Sequence, residues 1–230
     1  ALPLLQHGQR QRLHQSYADL LEQERYQDAC EFFLDELYGG KDFSQRHHDL
    51  ARVEPIMSRI MPDHLLHTVA EALEVQALSI ELDLCTSAKM AEIQPQIAPL
   101  TDSNEPSSVR PNNASDITPH ITQALYAQAY RATARTADRQ RQIELIMEVG
   151  QALDSVVHKF WVFRLLKLLR GPAVAAGFGE LQHFLEAGFA AFKQLNGAES
   201  FLSTIQKREQ EAMDNILAGS DRPFAQLDLA

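Results

Sequence analysis

Five ligand-type side chains, His64, His67, Glu71, Glu74 and Glu81, follow one another at steps of three, four or seven residues. Such steps stack side chains on one face of a helix, and imidazole with carboxylate is a donor set that suits zinc or iron. Their phase argues against that use. Leu66, Val69, Leu73, Ala77, Ile80 and Leu84 form the apolar stripe of the same stretch. Most of the ligand-type residues lie two positions before a stripe member, a rotation of about 200° around a helix. The group is therefore expected on a solvated face, holding no tight metal.

Two other histidines invite a cofactor reading. Glu180 and His183 form one Glu-x-x-His pair, half of what a di-iron bundle requires. His183 falls opposite the stripe that contains Gly188, whereas His158, near Val157 and Phe160, is the better candidate for a buried imidazole. Either is a candidate axial haem ligand, although packing histidines outnumber haem ligands. The expectation is no cofactor. No nucleophile elbow, Walker loop or dinucleotide fingerprint is present, and "GFGE" lacks the third glycine of the last. These absences tilt the reading away from an enzyme.

Two stretches suggest binding. In "KLLRGPAVAAG", one helix is expected to end near Arg170 and another to begin at Pro172. Free N–H groups of Ala173 and Val174 would then stand beside Arg170 and Lys167, a geometry suited to a small anion or to a carboxylate such as Asp35 or Glu36. "FFLDELYGGKDFSQR" reads as a helix, a stop at Gly39 or Gly40, and a restart capped by Asp42 or Ser44. Tyr38 and Lys41 on that turn are the candidates for ligand contact. Arg131, Arg135 and Arg139 step by four, with Arg141 nearby, and read as a solvated basic face.

The elements that must position these residues are helical throughout, with strand alternation nearly absent. Leu13, Tyr17, Leu20 and Leu21 mark one helix; Cys30, Phe33, Leu34 and Leu37 mark the next. A third continues through Leu50, Val53, Met57 and Ile60, interrupted by Pro55, and a long helix is expected from Asp63 to about Ala91. Residues 93–119 hold Pro95, Pro99, Pro106, Pro111 and Pro119 among Ser, Asn and Asp, and read as a long linker or loop. Beyond it the periodicity predicts helices from Pro119 to Ala134 and from Ala137 to Leu169, with a possible break at Gly150. A helix on Phe178, Leu181, Leu185, Gly188, Phe192 and Leu195 ends at Asn196-Gly197, and a last one uses Phe201, Ile205, Ala212 and Ile216. The expected fold is all-α: one bundle of about seven or eight helices over residues 1–230, with the 93–119 segment as a crossover.

At 230 residues and 45% hydrophobic content, the chain can bury a full core. A net charge of −10 opposes nonspecific binding to nucleic acid or an anionic membrane. The opening "ALPLLQHGQRQRLHQ" has too short an apolar run for a signal peptide, and "FWVFRLLKLL" is too short and too charged to span a bilayer. Cys30 and Cys85 read as small core hydrophobes, consistent with a reducing cytoplasm. Charge is segregated: residues 19–36 hold seven acids against Arg25, and residues 159–170 hold Lys159, Arg164, Lys167 and Arg170 with no acid. Opposite segments of this kind pair within a monomer or across a dimer.

Three stretches, "FFLDELYGGKDFSQR", "ALEVQALSIELD" and "LLRGPAVAAGFGELQHFLEAGFAAF", together resemble an uncharacterised bacterial family of all-helical proteins with an FF-x-x-x-LYG-x-x-DFS-x-R motif, a domain of unknown function. The resemblance runs from Phe32 to about Arg208, with His47 where the family pattern has Asp. It implies a helical fold and brings no activity. The expectation is a cytoplasmic helical protein that binds or interacts as a homodimer; the alternative is an enzyme with a small ligand, haem or metal in the bundle core.

Overall fold

The computed structural model describes residues 1–37, 62–95 and 121–224, and every regular element among them is a helix. The helices are α1 (Leu2–Ser16), α2 (Ala18–Leu21), α3 (Glu24–Leu37), α4 (Asp63–Ile93), α5 (Gln123–Ala132), α6 (Thr136–Val157), α7 (Phe160–Ala175), α8 (Gly179–Leu195) and α9 (Glu199–Leu217). The expected all-α class holds. The turn carrying Tyr38, Gly39, Gly40, Lys41, Asp42 and Ser44, the helix expected through Leu50 and Ile60, and nearly all of the 93–119 segment lie outside the described residues. No helix among the described residues is long and apolar enough to cross a membrane.

Local chemistry explains most boundaries. Thr122 opens α5 by accepting the N–H of Leu125 at 3.2 Å, and Ala134 turns the chain toward α6 at φ 52°. Asn196 and Gly197, at φ 49° and 106°, close α8 as the sequence predicts. Arg25 then caps that end by donating to the carbonyls of Leu195, Asn196 and Gly197 at 2.6, 3.2 and 3.1 Å. A cation at a helix C-terminus satisfies free carbonyls and complements the helix dipole.

Two boundaries correct the sequence reading. The break expected at Gly150 lies instead at His158 and Lys159, the latter in extended backbone. Gly150 is a packing residue: a Cβ there would stand 2.4 Å from Leu202 Cδ2. Nor does a helix begin at Pro172, because α7 runs through it to Ala175. The stop is Gly177, at φ 86°, with Gly177 N–H bonded to Val174 O at 3.1 Å and Phe178 N–H to Ala173 O at 2.7 Å. That pair is a Schellman closure, which needs a residue able to hold positive φ.

The helices enclose two apolar clusters. Leu13, Leu20, Cys30, Leu34, Phe192 and Phe201 belong to one. Leu5, Met90, Leu125, Tyr126, Met213 and Phe224 belong to the other. Cys30 is a buried free thiol whose pKa burial pushes up to about 12, and it packs within the core as a small hydrophobe. Gly188 admits Phe32 of α3, whose Cζ lies 2.8 Å from where a Cβ would sit. Along α1, α4 and α9, a band of polar residues separates the two clusters: Gln9 and Arg12, then Ser79, Asp83 and Thr86, then Glu209.

That band overturns the phase assigned to α4. Its buried residues include Leu65, Thr68, Val75, Gln76, Ser79, Leu82, Asp83 and Thr86. Leu66, Val69, Leu73 and Ile80 of the expected stripe are only half-buried, and Ala77 and Leu84 are exposed. Counting apolar residues located the wrong face because the helix most closely packed on α4 is α6, which presents Arg139 and Gln142 and requires polar partners.

Candidate functional site

Helix α7 buries one residue, Val162, and packs chiefly on α8. Its remaining surface combines Phe160, Trp161, Leu168 and Val174, all exposed, with Lys159, Arg164 and Lys167. Among the described residues six large apolar side chains are exposed, and these four are on α7. The cations hold the aromatic rings in place: Arg164 Cζ lies 5.7 Å from the Phe160 centroid, and Lys167 Nζ lies 4.4 Å from that of Phe163. A groove bordered by Pro62, Trp161, Leu165 and Leu168 runs along this face. Apolar side chains clustered on one outward helix face are the usual mark of a contact surface.

The anion geometry expected at Arg170 is absent. With α7 continuous, Ala173 and Val174 lie inside a helix and offer no free N–H pair at a helix start. Arg170 forms a forked pair with Glu186, Nε to Oε1 at 3.0 Å. Gln182 donates to the same Glu186 oxygen at 2.8 Å, and the Arg170 hydrogen bond lowers the Glu186 pKa. Lys167 remains exposed.

The metal candidates spread along an outward face. His64, His67, Glu74 and Glu81 are exposed and Glu71 is half-buried. His67 pairs with Glu71 at 3.2 Å, Glu74 with Arg141 at 3.6 Å, and Glu81 with Arg135 at 2.8 Å. No group of three metal-ligating side chains is gathered among the described residues. The haem candidates change too: His158, expected buried, is exposed at the end of α6, 3.9 Å from Asp154, because the chain breaks at that point. His183, opposite the Gly188 stripe, is exposed.

The arginine series divides as well. Arg131 donates to the carbonyl of Ile216 at 3.0 Å, and Arg135 pairs with Asp138 and Glu81. Arg139 is buried, and this corrects the solvated face expected for it. It donates to Thr86 Oγ1 at 2.8 Å and to Leu82 O at 3.3 Å, and lies 4.6 Å over the ring of Tyr130. Around it Gln142 donates to Ser79 Oγ at 2.7 Å, and Gln9 donates to the Tyr126 hydroxyl at 2.8 Å. Arg12 is doubly bonded to Glu209 at 3.0 Å for each contact, and Glu209 also accepts from Tyr17 at 2.7 Å. Burial opposes the charge on Arg12, but Glu209, Tyr126 and Tyr17 outweigh it and its pKa rises. Asp83 is instead favoured in its neutral form: burial pushes its carboxyl up to about 6 against the pull of Arg139 and Arg12.

Sequence reasoning missed this cluster because its members come from separate helices. The available signal was the row Ser79, Asp83, Thr86 and Ser87 at helical spacing within an otherwise apolar segment. A second cavity, of about 110 Å³ beside Phe32, Leu73 and Phe189, is lined by only two polar side chains, Thr68 and Gln76. It offers little beyond apolar burial. No curated protein and no solved structure matches the chain. One family model, described as a domain of unknown function (DUF8198), matches residues 1–223.

Proposed function

The chain belongs to the family of that domain of unknown function (DUF8198), and from this premise we propose that it is a cytoplasmic interaction module, acting as one domain, that forms a homodimer through α7. The observation that carries this reading is the placement of Phe160, Trp161, Leu168 and Val174 in solvent on a helix that buries only Val162. Aromatic and cationic residues together make strong contact centres, and exposed apolar area of this kind is stabilised by a partner. Charge supports a second copy as that partner. Glu22, Glu24, Asp28 and Glu31 are exposed at and along α3, and α7 carries Lys159, Arg164 and Lys167 with no acid. An acidic face on one copy complements the basic face of the other and steers their approach.

Sedimentation velocity over a concentration series tests this. The native protein is expected to dimerise, with dissociation at high salt, and a Phe160→Asp, Leu168→Asp double variant is expected to stay monomeric with its helical circular dichroism intact. A native protein that is monomeric throughout, or a variant as dimeric as the native chain, overturns the proposal. Binding to anionic phospholipid vesicles without self-association would assign α7 to a membrane surface instead.

A further inference from the structure

The polar band between the two apolar clusters borders a partly open chamber of about 40 Å³, lined by Gln9 and Arg12 of α1, Asp83 of α4, Tyr126 and Tyr130 of α5, Arg139 and Gln142 of α6, and Glu209 of α9. Arg12 and Arg139 are each 6% exposed, and in each the Nε–H has no hydrogen-bond partner among the described residues. Buried guanidinium donors are costly to leave unpaired, so two of them lining one chamber point to an acceptor shared between them. Arg12 has Glu209 as counter-ion, but no carboxylate lies within ion-pair distance of Arg139 among the described residues. Asp83 lines the same chamber and makes no hydrogen bond there among the described residues.

The volume limits the occupant. A water takes roughly 10–15 Å³ on this measure, so the chamber has room for about three waters, the space of a planar anion of three or four heavy atoms. We propose that the chamber is a binding site for a small planar monoanion of the formate, bicarbonate or nitrate class, held by Arg12 and Arg139 and admitted together with a proton on Asp83. A trigonal oxyanion presents two acceptors in one plane, which matches the fork of a guanidinium. Tyr126, Tyr130, Gln9 and Gln142 line the same space and add neutral polar side chains to it.

Charge balance gives the link to the proton. The groups facing Asp83 are Arg12 from α1, Tyr126 and Tyr130 from α5, Arg139 from α6 and Glu209 from α9, with Phe224 of the tail adding no charge. Burial raises the pKa of Tyr126 and of Tyr130, so both are neutral. Two arginines and Glu209 leave one positive charge when Asp83 is protonated and none when it is ionised. A monoanion neutralises the first state and leaves the second with an uncompensated negative charge. With burial pushing the Asp83 carboxyl up to about 6, apparent affinity follows its protonated fraction and is expected to fall about 25-fold from pH 5.5 to pH 7.5.

The test is calorimetric titration of the full chain with sodium formate and with sodium nitrate at both pH values and constant ionic strength, citrate serving as an oversized control. Saturable formate or nitrate binding that weakens about 25-fold between the two pH values is expected, with no citrate binding. Asp83→Asn is expected to bind with an affinity independent of pH. Arg139→Gln is expected to lose binding, and Arg135→Gln to retain it. Absence of saturable binding to the native protein at pH 5.5 overturns the proposal. So does an unchanged pH dependence in Asp83→Asn, which needs no result from the arginine variants.

Discussion

The polar chamber and helix α7 sort their side chains in opposite ways. In the chamber Arg12 and Arg139 are 6% exposed and Asp83 8%, whereas on α7 Phe160 and Leu168 are 71% and 74% exposed. Each region departs from the partition that burial of apolar area favours, but the physical means differ. The chamber assembles hydrogen bonds from five helices, so most of its buried donors are paired within the fold. Helix α7 has no such compensation among the described residues. The contrast predicts that the chamber is tied to stability and pH, and that α7 is tied to association while the monomer tolerates change there.

The largest expected effect lies in the chamber. Arg12→Ala removes the forked partner of Glu209 and leaves a part-buried carboxylate beside Tyr17, which should destabilise the fold by about 3 kcal/mol in urea titrations. A loss under about 1 kcal/mol would mean that the pair is solvent-screened and that the comparison with α7 fails.

Asp83→Asn comes next, and its sign depends on pH. Burial holds the folded-state pKa at about 6, above the ordinary value of 3.8, so the folded chain grips the proton more tightly than the unfolded one. Native stability should therefore fall as pH rises from about 4 to about 6 and stay level above that, with a drop of up to about 3 kcal/mol. The variant removes the titrating group, so it should equal the native protein near pH 4 and exceed it at pH 8. A variant less stable than the native chain at pH 8 would show that the ionised Asp83 is well compensated.

The smallest effect belongs to α7. Leu168→Ser should change monomer stability by less than about 0.5 kcal/mol, because a side chain 74% exposed gives up little burial. Denaturation at a concentration below the dimer range checks it. A loss of 2 kcal/mol or more would place Leu168 in the monomer core and remove the contrast.

Neither region was fully legible beforehand, for different reasons. For α7 the sequence shows the apolar and basic residues of "KFWVFRLLKLLR" but places Pro172 at a helix start. The backbone carries it into the last turn, where an exposed proline disturbs few hydrogen bonds, and Gly177 provides the closure. For the chamber, Ser79, Asp83 and Thr86 were in view, but the apolar count along α4 assigned the inner face to Leu66, Leu73 and Leu84. Their partners Arg139 and Gln142 lie more than fifty residues away, and no local pattern links them.

The sequence by itself determined what local chemistry controls. Helical periodicity set the all-α class, Asn196-Gly197 fixed the end of α8 through positive φ, and Gly188 marked the close approach that Phe32 fills. Tertiary structure alone decided which face of α4 is inside, that Arg139 is buried while Arg135 is not, and that His158 points outward. Those outcomes depend on pairing free energies between side chains distant in the chain. A helix rotates by a fraction of a turn to satisfy a buried guanidinium, because an unpaired charge costs more than a leucine left half in water.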